Sequence, residues 1–270
     1  MKIFDASSVS KYIDKTPILK EISFNLNQGE RLAIIGHNGS GKSSLLKLIG
    51  GIYEPTSGKV IKKTMRIGYV PEHFPENIRF RIMEYLLNIG RMSGNRADIL
   101  SERINNFAKH FAINEFLHTP LKSCSKGTKQ KVGIIQALLL EPELLLLDEP
   151  FTGLDEKAQH ELLKQLECLS HQITIIFTAH DSLLIDCLAS RVIKMASGKI
   201  IDDRLIGKKE DLNVITVATN MKMLEDIHCV SMNHISDLKV EITVLANHSD
   251  QILMQLLNKG CSILELKEKR

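Results

Sequence analysis

Three short runs of aliphatic residues stand out along the chain, at 31–35, 144–147 and 173–177. Each is almost entirely apolar rather than alternating, which is typical of strands in a parallel sheet whose two faces are covered by helices. A glycine-rich stretch follows the first run, and the pattern beyond it predicts a helix over 43–49 that ends at Gly50. The order strand, loop, helix predicts an α/β core.

A segment of helical character separates the first two runs. From residue 79 onward, Ile82, Leu86 and Ile89 recur at the spacing of one helix face, and phenylalanines follow among polar residues up to 119. This pattern predicts an inserted helical subdomain, which we place at about 79–135.

The last part of the chain differs again. After a polar junction, strand-like runs at 214–217 and 240–245 are followed by a helix predicted over 250–258. We therefore predict two domains, an α/β domain over 1–205 and a small α+β domain over 212–270.

The composition is that of an ordinary globular protein. Of the 270 residues, 43% are hydrophobic and 25% are charged, which excludes a disordered, collagen-like or coiled-coil chain. Lysine and arginine total 35 against 32 acidic residues, a formal net charge of +3. Proteins that bind the phosphate backbone of nucleic acids are usually far more basic, so we expect no nucleic-acid partner.

Membrane insertion and a cysteine or histidine metal site are not favoured. The longest apolar runs fall well short of the roughly 20 residues that span a bilayer, and the first residues lack the pattern of a signal peptide. We therefore expect a cytoplasmic protein. The five cysteines show no CxxC spacing and the ten histidines no HExxH pattern, so we interpret the cysteines as free thiols and expect no imidazole-held metal.

The stretch Gly36–Ser43 matches the phosphate-binding pattern GxxxxGK[ST], and it lies between a predicted strand and a predicted helix, as the pattern requires. Its glycines leave room for backbone N–H groups to surround a phosphate, and the helix amino terminus adds positive potential. We expect Lys42 to bridge the β- and γ-phosphates of a nucleotide and Ser43 to bind Mg²⁺. The predicted nucleotide-binding residues of this loop are Gly36, His37, Asn38, Gly39, Ser40, Gly41, Lys42, Ser43 and Ser44.

A second element of a phosphate site follows the apolar run 144–147. Asp148 and Glu149 come directly after it, where the end of a strand would deliver Asp148 to the metal and place Glu149 beside the γ-phosphate. There Glu149 is predicted to polarise the attacking water. We therefore interpret the pair as a Walker B aspartate and a catalytic glutamate.

These two motifs, together with those described next, make residues 1–205 resemble the nucleotide-binding subunit of ATP-binding cassette (ABC) transporters. The resemblance implies a P-loop NTPase fold of ABC type, in which a RecA-like mixed sheet carries a helical subdomain, here followed by the small α+β domain. It also implies ATP and Mg²⁺ as ligands and ATP hydrolysis as the activity. Tyr12 stands where the family has an aromatic residue that stacks on adenine.

The family's signature sequence, usually LSGGQ, resembles the segment 124–128, which reads CSKGT. The resemblance implies that Ser125 and Gly127 face the γ-phosphate of a nucleotide held by the opposite protomer. Two positions depart from the family pattern, because Lys126 replaces a glycine and Thr128 replaces the glutamine. The SKG variant is similar to that of bacterial exporters in this family.

Three further positions complete the family's order of motifs. Asp155 ends a TGLD sequence that resembles the loop joining two protomers, and His180 follows an apolar run as the family's switch histidine does. His180 is expected to donate to the γ-phosphate and to orient the water with Glu149. Glu72 replaces the glutamine of the family's Q-loop. Its carboxylate is expected to reach Mg²⁺ directly or through water, but it lacks an N–H donor and adds negative charge.

The resemblance also implies partners. A single subunit of this kind holds half of each of two composite sites, so a homodimer or a pseudo-dimer of ATPase subunits is expected. A separate transmembrane permease is expected to contact the helical subdomain next to Glu72. Through that permease the chain would lie on the inner face of the cell membrane.

The direction of transport has more than one interpretation. The SKG signature, Glu72 and the α+β domain together resemble exporters of drugs, peptides or antibiotics. A short hairpin predicted around 57–60 is similar to that of metal importers, so an importer ATPase is the alternative. A non-transport ABC ATPase of cofactor assembly is also left open.

Overall fold

The computed structural model describes residues 1–75, 77–92, 97–169, 173–180, 182–206, 212–219, 231–236, 239–245 and 249–269, together with residues 224, 227 and 229. The chain divides into two compact units, Met1–Ile206 and Gly207–Arg270. Each unit has a hydrophobic core of its own. The predicted polar junction at 207–211 lies outside the described residues.

The first unit contains most of the secondary structure. Its described strands are β1 (Lys2–Ile13), β2 (Thr16–Asn27), β3 (Arg31–Ile35), β4 (Ser57–Lys62), β5 (Ile67–Val70), β6 (Leu144–Leu147), β7 (Thr174–Thr178), β8 (Arg191–Ala196) and β9 (Lys199–Leu205). Its described helices are α1 (Lys42–Gly50), α2 (Ile82–Met92), α3 (Ala97–His110), α4 (Lys126–Leu138), α5 (Glu156–Glu167) and α6 (Ser182–Leu188), with 3-10 turns at Asn114–Phe116 and Leu121–Ser123.

A central sheet organises this unit. Its described strands run in the order β5-β6-β7-β3-β8-β9. The first five strands are parallel, and β9 pairs antiparallel with β8. Leu144 and Leu146 pack into one hydrophobic cluster, while Leu145 and Leu147 pack into another on the opposite face. Burial on both faces explains the unbroken apolar run, and the predicted α/β core is confirmed.

The parallel strand order also determines where the candidate functional residues lie. Gly36 follows β3, Asp148 follows β6 and His180 comes two residues after β7. Because carboxyl ends of neighbouring parallel strands meet at one edge of the sheet, loops from distant parts of the sequence converge there. This edge carries the site described below.

A second, antiparallel sheet in the first unit has the described strand order β2-β1-β4. Strand β4 pairs with β1, for example Ala6 with Val60, and it does not join β5. The hairpin predicted around 57–60 is therefore wrong. The glycine and polar residues of that segment mark the entry into an edge strand rather than a turn between two neighbouring strands.

The helical insertion packs on its own apolar faces. Ile82 and Leu86 of α2, Leu100 of α3 and Val132 of α4 are fully buried in one cluster with the core sheet. Gly90 permits close packing of α2 on α3, since a Cβ at this position would lie 2.4 Å from Leu100 Cδ2. The amino end of α4 is therefore part of a well-packed helical subdomain.

The second unit contains β10 (Leu212–Ala218), β11 (Ser231–Ser236), β12 (Lys239–Leu245), α7 (Ser249–Asn258) and β13 (Ser262–Lys269). Its described strands form an antiparallel sheet in the order β11-β12-β10-β13. Leu256 of α7 is fully buried in one cluster with Ile215 and Ile242 of the sheet. The strand order is that of the ferredoxin-like split βαβ arrangement.

Candidate active site

The phosphate-binding loop connects β3 to α1. Gly36 cannot be replaced without distortion, because a Cβ there would lie 2.4 Å from the backbone oxygen of Met195. Gly41 has φ +104°, a left-handed conformation that favours glycine, and α1 begins directly after it at Lys42. Together these glycines let the loop turn tightly and aim the amino end of α1 into the site.

Lys42 is held across the loop that precedes it. Its side chain is only 5% exposed, and Nζ donates to the backbone oxygens of Gly36 at 2.9 Å and His37 at 3.4 Å. Nζ also lies 3.1 Å from His180 Nε2 and 3.6 Å from Glu149 Oε1. One ammonium group therefore lies between the loop and the residues that follow β6 and β7.

Asp148 is bound on both carboxylate oxygens. Ser43 Oγ and Thr178 Oγ1 donate to Oδ1 at 3.0 and 2.9 Å, and Tyr69 OH donates to Oδ2 at 3.3 Å. Burial, with the charge and hydrogen bond of Asp148, raises the pKa of Tyr69, so its hydroxyl keeps its proton. The structure thus brings Ser43 and Asp148 together, as the sequence predicts.

Glu149 adopts an unusual backbone conformation next to Asp148. Its φ is +47°, and its N–H donates to Thr178 Oγ1 at 2.7 Å. Thr152 Oγ1 donates to Glu149 Oε2 at 3.0 Å, and His180 Nε2 lies 2.9 Å from Oε1. Backbone strain of this kind persists where surrounding contacts fix the residue, often at functional sites.

The ionisation of Glu149 reflects these contacts. Burial alone would raise the pKa of its carboxyl, but the hydrogen bond from Thr152 and the charges of His180 and Lys42 together hold that pKa below its usual value. The side chain is therefore an ionised acceptor at neutral pH, as a general base must be.

Lys42, Ser43 and Glu149 border a cavity of about 400 Å³. A volume in this range suits a small ligand, and the backbone amides of the loop and Lys42 suit a phosphate chain. Ser43 and Asp148 supply the hard oxygen donors that Mg²⁺ prefers. The lining residues are Ile18, Asn38, Gly39, Gly41, Lys42, Ser43, Ser44, Glu72 and Glu149.

Of the residues predicted to bind nucleotide at Tyr12 and in the loop 36–44, four lie outside this lining: Tyr12, Gly36, His37 and Ser40. Asp148 and His180 also lie outside it. Tyr12, in β1, is 45% exposed. His37 Nδ1 lies 3.0 Å from the backbone oxygen of Asn38. Ser40 is fully buried, and its Oγ has no hydrogen-bond partner among the described residues.

The signature segment and Asp155 also lie outside the cavity. Ser125 is the amino-terminal cap of α4, accepting from Thr128 N at 3.1 Å. Gly127 lies in the first turn of α4, where a Cβ would lie 3.4 Å from Leu154. Asp155 caps α5 by accepting from Ala158 N at 2.8 Å. These residues do not complete the cavity of their own chain.

Sequence reasoning missed four residues that shape the site. Thr178, Tyr69 and Thr152 hold the two carboxylates, and Ile18 forms an apolar part of the cavity wall. Thr178 had one detectable signal, because a hydroxyl residue ends a buried strand two positions before His180.

No helix in the described ranges is long and apolar enough to cross a bilayer.

Comparison with known proteins places this geometry among ABC proteins. Residues 19–152 match the family described as ABC transporter. An uncharacterised ABC transporter ATP-binding protein of Methanocaldococcus jannaschii is 31% identical over 207 residues, which cover 76% of this chain and 77% of the relative.

Two further relatives differ in how much of this chain they match. The linearmycin resistance ATP-binding protein LnrL of Bacillus subtilis is 27% identical, and the match covers 94% of this chain and 89% of LnrL. The sulfate/thiosulfate import ATP-binding protein CysA of Photorhabdus laumondii is 31% identical, and the match covers 73% of this chain and 59% of CysA.

A solved structure agrees with the fold. CbiO1 from Clostridium perfringens, part of the ABC transporter complex CbiONQ, superimposes with a TM-score of 0.66 at 30% identity. The superposition covers 75% of this chain and 88% of that protein.

Proposed function

The chain belongs to the ATP-binding subunits of ABC transporters, and we propose that Glu149, His180 and Lys42 carry out its ATP hydrolysis for transport by a separate membrane permease. One observation carries this assignment. Glu149 Oε1 lies 2.9 Å from His180 Nε2 and 3.6 Å from Lys42 Nζ. A base, a proton donor and a fixed cation therefore meet at one point of the cavity edge.

Each of the three residues has a role that follows from its chemistry. The ionised Glu149 carboxylate accepts a proton from water as the water oxygen bonds to the γ-phosphorus and the bond to the β–γ bridging oxygen breaks. ADP and phosphate are the products. His180 orients the water and donates to the γ-phosphate, and Lys42 balances negative charge on the phosphates.

Other predicted site residues, inside and outside the cavity lining, bind the nucleotide and its metal ion. Backbone amides of the loop 36–44 surround the phosphates, Tyr12 stacks on adenine, and Ile18 supplies apolar contact. Ser43 and Asp148 would hold Mg²⁺, and Glu72 would reach it directly or through water. When bound, this ion neutralises charge on the phosphate oxygens.

The signature residues act on a second copy of the site. Ser125, Gly127 and Asp155 do not line the cavity of their own chain, yet Ser125 and Gly127 stand at the positive end of α4, which suits an anion. A homodimer or pseudo-dimer would bring this end to the nucleotide of the opposite protomer. ATP would then join the protomers, and hydrolysis would release them.

The membrane connection follows from the family. A transmembrane permease would contact the helical subdomain near Glu72. Closing and opening of the ATPase dimer would then change the conformation of the permease. The chain would then work at the inner face of the cell membrane, in the cytoplasm.

We assign the direction of transport as export of a drug, peptide or antibiotic. The match to LnrL supports this choice, because it covers 94% of the chain, whereas the first unit accounts for only 206 of 270 residues. The match to LnrL must therefore extend well into the second unit. The match to the importer CysA covers 73%. An importer ATPase and an ATPase of cofactor assembly are the alternatives.

Hydrolysis is tested with Glu149→Gln, which keeps the size of the side chain but removes the base. ATP hydrolysis should fall by about 100-fold or more, while ATP binding remains and a stable ATP-dependent dimer appears by size-exclusion chromatography. Glu115→Gln, on an exposed 3-10 turn, is the matched control and should hydrolyse like the unmodified chain. Full hydrolysis by Glu149→Gln would remove Glu149 from this role.

Direction is tested in cells that express the chain with its permease. Growth should persist at higher concentrations of at least one membrane-active antibiotic or peptide, and Glu149→Gln should abolish that resistance. Nutrient uptake that depends on Glu149, without any resistance, would favour the importer. Copurification with soluble proteins alone would favour cofactor assembly.

A further inference from the structure

The last strand of the second unit, β13, forms an edge of its sheet. Among the described strands β13 pairs only with β10, so the other side of its backbone faces no described strand. Residues 264–268 are all exposed. Such an edge offers a row of N–H and C=O groups to which a further strand can pair. The outer side of β13 is therefore a candidate interaction surface.

The two edges of this sheet differ in regularity. From Glu265 to Lys269, β13 pairs with β10 residue by residue, and its register shift lies before Glu265. On the opposite edge, exposed Ile235 of β11 lies at a register shift between His234 and Ser236. Irregular backbone of this kind turns an edge away from a new partner. The regular part of β13 is the better template for pairing.

The exposed part of β13 also carries apolar side chains. Leu264 is 53% exposed and Leu266 is 48% exposed. Leu266 pairs with Ile215, which is buried in the core that includes α7. Because paired residues of a sheet point to the same face, Leu266 lies at the rim of this core. A strand added beside β13 would cover it.

The charges next to Leu266 favour one kind of added strand. Glu265 and Lys267 point to the opposite face of the sheet, with Lys267 Nζ 2.8 Å from Glu265 Oε1. If two copies of β13 pair antiparallel about Leu266, Glu265 of each copy lies opposite Lys267 of the other. Antiparallel registers centred on Glu265 or on Lys267 would instead place like charges opposite each other. The pattern is thus self-complementary in the register that brings the two Leu266 side chains together.

We propose that two copies of this chain associate through β13, antiparallel about a two-fold axis at Leu266, so that their two four-stranded sheets form one continuous sheet. The contact is isologous, since each copy offers the same surface. It goes beyond the proposed function, because it is separate from the nucleotide-dependent dimer and requires no ATP. A short strand pair buries less than the roughly 1,200 Å² of a stable interface, so this dimer is weak and concentration-dependent.

Charged residues on an edge strand have another known use, which is to prevent pairing. A strand protected in this way repels a second copy in every register, as a row of lysines does. The alternation of Glu265 and Lys267 around Leu266 repels a copy in some registers and attracts it in one. The two explanations predict opposite results for self-association.

The first experiment is sedimentation equilibrium of the full chain without nucleotide. The unmodified chain should dimerise as its concentration rises to about 200 μM. Glu265→Lys and Lys267→Glu should each raise the dissociation constant about tenfold or more, because two attractive pairs become repulsive. The combined substitution exchanges the charges and should restore the constant to within about threefold.

Glu268→Lys is the matched control for Glu265→Lys, because it changes the net charge equally but lies opposite Leu264 in this register. It should change the dissociation constant by less than about threefold. An unmodified chain that stays monomeric at every concentration would overturn the proposal. So would an equal effect of Glu265→Lys and Glu268→Lys.

A mixture of the two single variants separates the contact from the stability of one chain. Glu265→Lys and Lys267→Glu each lose the ion pair within their own β13. Each should also fail to pair with itself. Mixed together, they place opposite charges at every cross-strand position and should form a heterodimer at least as readily as the unmodified chain. A mixture that associates no better than its components would overturn the proposal.

The register is tested by cross-linking. Leu266→Cys brings two thiols directly opposite each other across the axis, so mild oxidation should give a disulfide-linked dimer. Leu264→Cys lies opposite Glu268 and should give no more dimer than the unmodified chain, whose exposed Cys168 and Cys187 set the baseline. No gain with Leu266→Cys, or an equal gain with both variants, would contradict the proposal.

Failure of this proposal is distinguishable from failure of the proposed function. Residues of β13 do not line the nucleotide cavity, so Glu265→Lys should leave Mg-ATP binding by the monomer unchanged. The ATP-dependent dimer of Glu149→Gln tests the nucleotide site, and association without nucleotide tests β13. An ATP-dependent dimer with no association in the absence of nucleotide would refute the β13 contact alone.

Discussion

The end of β6 and the start of α4 both carry charged residues at helix or strand termini, but their partners differ. At the end of β6, both oxygens of Asp148 and both oxygens of Glu149 accept from or contact groups of the same chain. At the start of α4, the amide donor of Gln130 has no partner among the described residues. The first region is fully hydrogen-bonded within the chain, whereas the second contains a buried donor without a partner among the described residues.

This difference separates two tasks. Under the proposed function, the carboxylate of Glu149 needs a fixed position, because a misplaced general base lowers the rate of hydrolysis. Under the proposed function, the amino end of α4 gains a partner when nucleotide binds to the opposite protomer and loses it when the nucleotide leaves. Substitutions in the two regions should therefore affect different measurements.

The largest effect is expected from Gly127→Asp, which places a carboxylate at the positive end of α4. Hydrolysis should fall by about 100-fold or more, while Mg-ATP binding by the monomer stays within about twofold. Gly127→Ala is the control, because its Cβ would meet Leu154 at an ordinary 3.4 Å. Loss of ATP binding by monomeric Gly127→Asp would contradict the separate roles of the two regions.

The next effect is expected from Thr178→Val. This change removes the hydroxyl that donates to Asp148 and accepts from the backbone of Glu149. The kcat for ATP hydrolysis should fall about 10-fold to 100-fold, because two fixed contacts are lost at once, with a smaller change in KM. Thr178→Ser keeps the hydroxyl and should restore most of the rate. A loss in Thr178→Ser as large as that in Thr178→Val would mean that the two hydrogen bonds of the hydroxyl do not by themselves account for the role of Thr178.

A smaller effect, on pH dependence, is expected from Thr152→Val. The Glu149 carboxyl has a lowered pKa, so the base is ionised above that pKa and is lost as the pH falls through it. Removing the hydrogen bond from Thr152 raises the pKa, and the acidic limb of the kcat profile should move to higher pH. Thr152→Ser should leave the limb in place. Movement to lower pH would contradict the assignment.

The smallest effect is expected from Tyr69→Phe, which removes one hydrogen bond to Asp148 Oδ2. Ser43 and Thr178 still hold Oδ1, so the Mg²⁺ concentration for half-maximal hydrolysis should rise only about twofold to tenfold. A loss as large as that of Thr178→Val would show that Tyr69 positions more than this one oxygen.

The loop 36–43 was predictable from sequence because its chemistry is local. Glycines, Lys42 and Ser43 act within one turn of chain, and the flanking strand and helix are short and strongly patterned. The same holds for Asp148 and Glu149 at the end of an apolar run. In each case neighbouring positions in sequence are neighbours in the site.

Other parts of the site and the fold could not be predicted, because their residues are distant in sequence or lack a regular pattern. Thr178 and Tyr69 reach Asp148 from 30 and 79 positions away in sequence, so no local pattern marks them. Strands β1 and β2 were not identified, because Ser8 and Glu21 have positive φ values of 50° and 53°. Register shifts accompany them, and the strands lose the regular alternation that reveals a strand.

The strand order of the second unit has a consequence for protein engineering. Leu212 in β10 pairs with Lys269 in β13. The first and the last described strand residues of the unit are therefore direct neighbours in its sheet. A module whose two ends lie side by side can be exchanged or removed without stretching the chain. Chimaeras that carry the corresponding unit of a relative, joined after Ile206, would therefore show what this unit contributes.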